Sequence, residues 1–501
     1  MPGTRKDIFA SINAWLDDPT APNIFWLTGS PGAGKSAIAS SLVEQLLTQG
    51  RLGSFLAFKQ GNMNLSDPTA VWRTVASDLA RYPAPSQYDD FHSHIRTSLL
   101  DVLATQKIDP GSTDIELQFR SLVEEPFRAF VGVDCPVIVL DALDECGQGQ
   151  SLQWKVLLKT IKQWSTLLPH AKLFITGRSY FSLQAVLGSI SQCVTLATGE
   201  HVTMDAIQDI HAYLEVQIRD NILAFNENLA SDWPGSAILD QLAHKAAGLF
   251  IWAKTVLIFL EAGDALSRLE LVLSEDDNEA TGLYSGINQL YSTILEFSFR
   301  NATTKELAAF QLIAGTLCTV RSPVDKQTLK HLLPENVASS IFDYIVNQLQ
   351  PVLLVDQSGH LEFSHFSFVE FLTDDAQKSL PFYIHSLKHD HQIAIQCLKI
   401  MNEELKFNLC NLSSSHLSND RVEGLDTMIA TCISGHLFYA CIFWGNHLNK
   451  DWSEESSLLS ELESLMYKRF LFWLEVLSLT NMVHTAFKSL ENAAQLSIVQ
   501  V

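Results

Sequence analysis

The sequence predicts an α/β fold, a parallel sheet with helices on both faces, continued by a long and mostly helical chain. Two observations carry this. Short apolar runs at 23–28, 54–58, 137–140, 173–176 and 193–196 alternate with stretches of helical periodicity, as in parallel sheets buried on both sides. From residue 202 onward the periodicity is almost everywhere that of helices.

Taken in order, residues 4–17 read as an amphipathic helix with Ile8, Ile12 and Trp15 on one face. The strand at 23–28 is followed by a Gly-rich turn and a helix from about Lys35 to Thr48. Ser54 to Phe58 is the second strand, and 68–130 is helical with a capping-box pattern at Thr113 and Glu116. The run Val137 to Leu140 ends in acid. Residues 325–375 differ: two helices, short strands at Val352–Val355 and Leu361–Phe363 around Asp356 and Gly359, then a helix, which suggests a winged-helix module. No internal repeat and no Gly/Ser/Pro-rich linker is visible. The expected organisation is an α/β domain over 1–200, a helical domain over 201–320, a winged helix over 321–376 and a helical region over 377–501.

Composition narrows the class. Apolar residues make up 47% of the 501 and charged residues 18%, the balance of a chain that buries cores. Lys and Arg number 34 against 56 Asp and Glu, a net charge of −22, so a broad nucleic-acid grip is not expected. Eight scattered cysteines without a CxxC pair suit a reducing compartment. The longest apolar stretch, Leu249 to Leu260, is too short to span a bilayer and carries Lys254. A soluble cytoplasmic protein without a membrane partner is the expectation.

Gly29, Ser30, Pro31, Gly32, Ala33, Gly34, Lys35 and Ser36 satisfy the P-loop pattern GxxxxGK[ST] in full, between a strand and a helix. Glycines let the backbone wrap a phosphate with its N–H groups, and the helix N-terminus adds partial positive charge. Lys35 reaches the β/γ-phosphates in such a loop, and the Ser36 hydroxyl ligates Mg²⁺. Downstream, the strand ending in Asp141 puts a carboxylate at the sheet's C-terminal edge, where ligands of open α/β sheets bind. Asp141 is expected in the Mg²⁺ shell, and Asp144 or Glu145 orients or activates a water. Arg178, just past the strand at 173–176, is placed to sense a γ-phosphate. His385, His389 and His391 have partial metal-ligand spacing that nothing completes, and are read as structural. Phe438, Tyr439, Phe443, Trp444, Phe470, Phe472 and Trp473 are read as a core of the C-terminal helices, the alternative being that some stay exposed where a repeat domain or second chain docks.

The P-loop, the run from Leu140 to Glu145 and Thr176-Gly177-Arg178 together resemble the NACHT branch of the STAND signalling ATPases. The likeness is to fungal NLR-like proteins with a nephrocystin-3-like NTPase core. The resemblance implies an ATP/ADP switch. It places Gly3, Thr4 and Arg5 near the adenine or ribose, and it makes His365, within Ser364 to Leu372, a contact to the ADP β-phosphate that holds the closed state. Gly248 to Ala253 resembles the segment where many relatives have Gly-x-Pro; the proline is missing, so no adenine contact is assigned there. Such proteins usually carry an effector domain before the core and a repeat array after the helices, and neither is recognised in this sequence.

The function that follows is a nucleotide-gated signalling switch of the NLR-like kind, in innate immunity or non-self recognition. It uses ATP/ADP and Mg²⁺, hydrolyses slowly or not at all, and meets protein partners or its own copies on activation. The alternatives are a P-loop small-molecule kinase and a nucleotide-stabilised scaffold.

Overall fold

A computed structural model describes residues 3–63, 65–81, 89–109, 111–132, 135–147, 151–225, 229–274, 285–334, 337–414, 416–449 and 456–498. The chain forms two compact units, residues 1–290 and 291–501.

In the first unit, helix α1 (Lys6–Asp17) precedes β1 (Ile24–Gly29), the P-loop and helix α2 (Lys35–Thr48). Strands β2 (Leu52–Ala57), β3 (Val137–Asp141), β4 (Leu173–Gly177) and β5 (Ser191–Leu196) complete a five-stranded sheet. Its order is β2-β3-β4-β1-β5, with every pairing parallel. The strand periodicity of two sorts the apolar runs onto opposite faces. Ile24, Trp26, Ile138, Leu140, Leu173 and Ile175 enter one core with the helices Val71–Arg81, Asp89–Ala104 and Leu152–Trp164. Phe25, Leu27, Val137, Val139 and Phe174 enter the other with α1 and α2. Burying each such side chain contributes about 1.5–3 kcal/mol, which is why the strands read as unbroken apolar runs.

One local reading shifts. The capping box expected at Thr113 and Glu116 is not formed; Asp114 caps the helix Ile115–Phe119 by accepting from the Leu117 N–H at 3.0 Å. A full capping box occurs instead at Thr303 and Glu306, on the helix Thr304–Thr319. The apolar segment 249–260 is the helix Phe250–Glu261, buried around most of its circumference. Among the described residues no single helix is long and apolar enough to cross a membrane.

The second unit is helical apart from a three-stranded antiparallel sheet of order β6-β8-β7, made by β6 (Val324–Asp325), β7 (Leu353–Val355) and β8 (His360–Phe363). The β7–β8 turn is closed by Asp356, whose Oδ1 accepts from the N–H groups of Ser358 and His360, and by Gly359 at φ 82°. The helix Phe366–Thr373 follows. Of the seven C-terminal aromatics, Tyr439, Phe443, Trp444 and Trp473 are buried, and Phe438, Phe470 and Phe472 are partly buried. The ring of His389 lies against Gly315, where an added Cβ would stand 2.3 Å from Cε1, so it is part of a core. Among the described residues no group of three or more His, Cys, Asp or Glu is arranged to hold a metal ion.

Candidate nucleotide-binding site

The loop from Gly29 to Gly34 joins β1 to α2, so its glycines stand at the C-terminal edge of the sheet and the N-terminus of a helix. Gly32 (φ 77°) and Gly34 (φ 95°) are left-handed, a region other residues enter only at a cost. Gly32 is doubly required: a Cβ there would sit 1.9 Å from Ile251 Cγ2, and the Ile251 N–H donates to the Gly32 carbonyl at 3.1 Å. The Lys35 ammonium donates to the carbonyls of Gly29 and Ser30, at 2.8 and 2.9 Å, and so lies inside the loop. Burial lowers the Lys35 pKa to about 8, against the pull of Asp144. The Ser30 hydroxyl pairs with that of Thr198, beyond β5, at 2.8 Å.

The acids arrive on β3 and the turn after it. Because β4 lies between β1 and β3, its last residues face both the P-loop strand and the acid strand. Thr176, fully buried, donates to Asp141 Oδ1 at 2.5 Å and accepts from the Ala142 N–H at 2.8 Å. The Ser36 hydroxyl also favours the ionised Asp141 carboxylate, which brings the two expected Mg²⁺ ligands to the same place. Burial raises the pKa of Asp141, and the hydrogen bonds from Thr176 and Ser36 oppose it. Ala142 is left-handed (φ 54°) and turns the chain into a short 3-10 helix, Leu143–Glu145. Asp144 Oδ2 then meets Arg178 Nε at 3.2 Å, with side chains 4% and 11% exposed. Glu145 Oε2 accepts from the Gln60 N–H at 2.9 Å; burial raises its pKa and that hydrogen bond opposes the rise.

Arg5 lies against the P-loop. Its Nη2 donates to the Ala33 carbonyl at 3.1 Å, its backbone N–H donates to Asp209 Oδ2 at 2.9 Å, and its guanidinium lies 5.2 Å from the Phe250 ring centre. The P-loop, Asp141, Asp144, Glu145, Arg178 and Arg5 are thus assembled in the first unit. His365 belongs to the second, where its Nδ1 accepts from the Ser367 N–H at 3.1 Å, and the Ser367 hydroxyl in turn pairs with Tyr291 Oη at 2.9 Å. Sequence reasoning gave Thr176 no role, and it missed Ile251 and Thr198. Only Thr176 left a signal, a polar residue ending an apolar strand.

The donor set fits a nucleotide with its cation. A hydroxyl and a carboxylate brought to the same sheet edge are hard oxygen ligands of the kind Mg²⁺ takes, and the loop has two left-handed glycines beside a buried ammonium. This fold and this site are those of a P-loop NTPase, and the chain is similar to nucleotide-binding proteins of the NACHT type within the STAND class. The model of the nephrocystin 3 N-terminal family matches residues 3–178. The chain is 24% identical over 483 residues to the vegetative incompatibility protein HET-E-1 of Podospora anserina, covering 91% of this chain and 33% of that protein. It therefore spans about a third of the length of this curated relative. Similar solved structures include a Walker-type ATPase of Pyrococcus abyssi, at 15% identity and TM-score 0.34, covering 73% of this chain and 95% of that one. Another is a STAND protein with a tetratricopeptide repeat sensor from Pyrococcus horikoshii, at 12% identity and TM-score 0.37, covering 97% and 62%.

Proposed function

We propose that the chain is a conformational switch gated by ATP and ADP with Mg²⁺, acting in NLR-like signalling of the innate-immunity or non-self-recognition kind. The observation that carries this is the convergence of Lys35, Ser36, Asp141 and Arg178 at one edge of the sheet. In this reading the P-loop backbone and Lys35 hold phosphates, Ser36 and Asp141 hold Mg²⁺, and Arg178 answers to the terminal phosphate. The bound cation supplies charge neutralisation between phosphate oxygens. A switch requires two shapes with different affinities for the two nucleotides. The second shape-determining part is proposed to be the winged helix over 321–376, between a helical domain over 201–320 and a helical region over 377–501. With His365 Nδ1 accepting from Ser367, the neutral ring carries its proton on Nε2, the donor that would meet an ADP phosphate.

Hydrolysis is slow or absent in this proposal, the location is cytoplasmic, and activation leads to protein partners or self-association. The relative's name, vegetative incompatibility protein, supports the signalling context. The test identifies any nucleotide released when purified protein is denatured, then follows exchange and turnover over hours. ADP release with slow exchange for ATP supports the switch. Fast turnover only with an added acceptor selects a kinase, and a nucleotide that never exchanges selects a scaffold.

A further inference from the structure

We infer that Asp144 is a positioning residue for Arg178: its carboxylate holds the guanidinium at the end of β4, so a terminal phosphate must draw Arg178 from an existing partner. This competition tunes how strongly the site prefers a nucleoside triphosphate to a diphosphate. The inference rests on the nucleotide-switch reading above.

The pair is built rather than incidental. Arg178 Nε and Asp144 Oδ2 are 3.2 Å apart in surroundings that exclude most water, where charges interact far more strongly than at a surface. On its other side, Arg178 Nη1 donates to the Tyr180 hydroxyl at 3.2 Å. Asp144 is delivered by the left-handed Ala142, itself pinned through the hydrogen bond from its N–H to Thr176. Opposite stands Gly177, where a Cβ would come within 3.2 Å of Asp144 Oδ1. Sequence alone leaves Asp144 and Glu145 as equal candidates to orient a water. The structure separates them: Asp144 is committed to a cation, and Glu145 is held by one backbone N–H.

The energetic logic is a difference. A guanidinium binds phosphate oxygens well, because its planar fork matches them. Whatever Arg178 gains there is reduced by what it gives up at Asp144, and that reduction falls only on the nucleotide that reaches Arg178. Removing the Asp144 charge therefore strengthens triphosphate binding selectively, while removing Arg178 erases the preference.

The experiment measures dissociation constants of ADP and a non-hydrolysable ATP analogue, each with Mg²⁺, for the full chain. Asp144→Asn is expected to tighten the triphosphate about ten-fold and to move ADP less than about two-fold, the scale of one charge-assisted hydrogen bond. Arg178→Gln is expected to bring the two constants together, and adding Asp144→Asn to it to leave their ratio unchanged, since the carboxylate then acts on both nucleotides alike through Lys35. Equal shifts for both nucleotides, or none, in Asp144→Asn overturn the inference. Should that variant not fold, Asp144→Glu keeps the charge and displaces it by one methylene. An altered triphosphate-to-diphosphate ratio in that variant then supports the inference, and an unaltered ratio overturns it. If the wild-type chain binds neither nucleotide, the switch reading fails with it; if it binds both and the ratio ignores Asp144, only this inference fails.

Discussion

The Thr176 hydroxyl donates to Asp141 Oδ1 at 2.5 Å across the neighbouring strands β4 and β3, and Thr176 Oγ1 accepts from the Ala142 N–H at 2.8 Å. One buried hydroxyl therefore orients a metal-binding carboxylate and fixes the turn that carries Asp144 and Glu145. Thr176→Val keeps the shape and removes both hydrogen bonds. It should destabilise the first unit by about 1–3 kcal/mol and weaken Mg²⁺-dependent nucleotide binding, while Thr176→Ser restores most of both. Binding and melting of the two variants, with and without Mg²⁺, check this. A Val variant that binds like wild type would remove Thr176 from the site.

The two acids on either side of that turn should separate in function. Asp141→Asn loses the charge that Ser36 and the cation share, so Mg²⁺-dependent affinity should fall about ten-fold or more. Glu145→Gln keeps the acceptor for the Gln60 N–H, so binding should persist while any turnover slows. Isothermal titration alongside single-turnover assays distinguishes them. Equal loss of binding in both would contradict this division.

Lys35 carries a pH signature. Its pKa of about 8 reflects burial, and phosphates placed beside it should raise that value by favouring the charged form. The sign is then fixed: below pH 8 the amine is charged and affinity is flat, and above it affinity should fall by up to about ten-fold per pH unit as binding must recruit a proton. Lys35→Ala should lose about 1.5–3 kcal/mol or more, the worth of one charge-assisted contact, and show no such dependence. A wild-type affinity that stays constant from about pH 7 to about pH 9.5 would count against the buried ammonium as the phosphate ligand.

Much of this site was legible because its parts are local. The P-loop is eight consecutive residues, and the strands Val137–Asp141 and Leu173–Gly177 are apolar runs whose polar ends mark the sheet edge. What was not legible depends on strand order. Nothing in the sequence says that β4 separates β1 from β3, and without that the partnerships of Thr176 with Asp141 and of Arg178 with Asp144 cannot be seen. The misread cap shows the same limit at smaller scale. Thr113 and Glu116 fit a capping box, but Asp114, one residue on, offers a carboxylate to the Leu117 N–H and starts the helix there.

Gly32 ties the P-loop to the helix Phe250–Glu261, through both the Ile251 side chain and its N–H. Gly32→Ala must move Ile251 and also hold an L-residue at a positive φ. It should cost about 1–3 kcal/mol and reduce nucleotide affinity. Adding Ile251→Ala removes the 1.9 Å contact with Cγ2 but leaves Cβ at 2.7 Å and the backbone strain, so the double variant should recover only part of the loss. Full recovery would show that the left-handed conformation of Gly32 is unimportant, and no recovery would show that the packing is.

The last prediction concerns acid and the second unit. There His447 is enclosed by Asp390, Arg321 and Tyr439, and the donors decide its form. The Arg321 N–H donates to Tyr439 Oη at 2.9 Å, so that hydroxyl directs its own proton to His447 Nε2 at 2.8 Å, and Nδ1–H donates to Asp390 at 2.8 Å. The ring is therefore neutral, and protonating Nε2 would set two donors against each other. Burial lowers the pKa of His447 to about 4, and that of nearby His389 likewise to about 4, from 6.5. A depressed histidine favours the fold above the unfolded pKa, so stability is complete above pH 6.5, declines as pH falls towards 4 and levels off below it. Each histidine accounts for about 3 kcal/mol of that decline, since every pH unit between its unfolded and folded values is worth about 1.4 kcal/mol. Hydrogen exchange, corrected for intrinsic rates, should show the helices Ser386–Glu404 and Gly435–Phe443 losing protection between about pH 6.5 and about pH 4.5. In His447→Gln the protection should be lower at neutral pH but about one proton less steep. A slope unchanged by that substitution would mean that acid acts on this unit elsewhere than at His447.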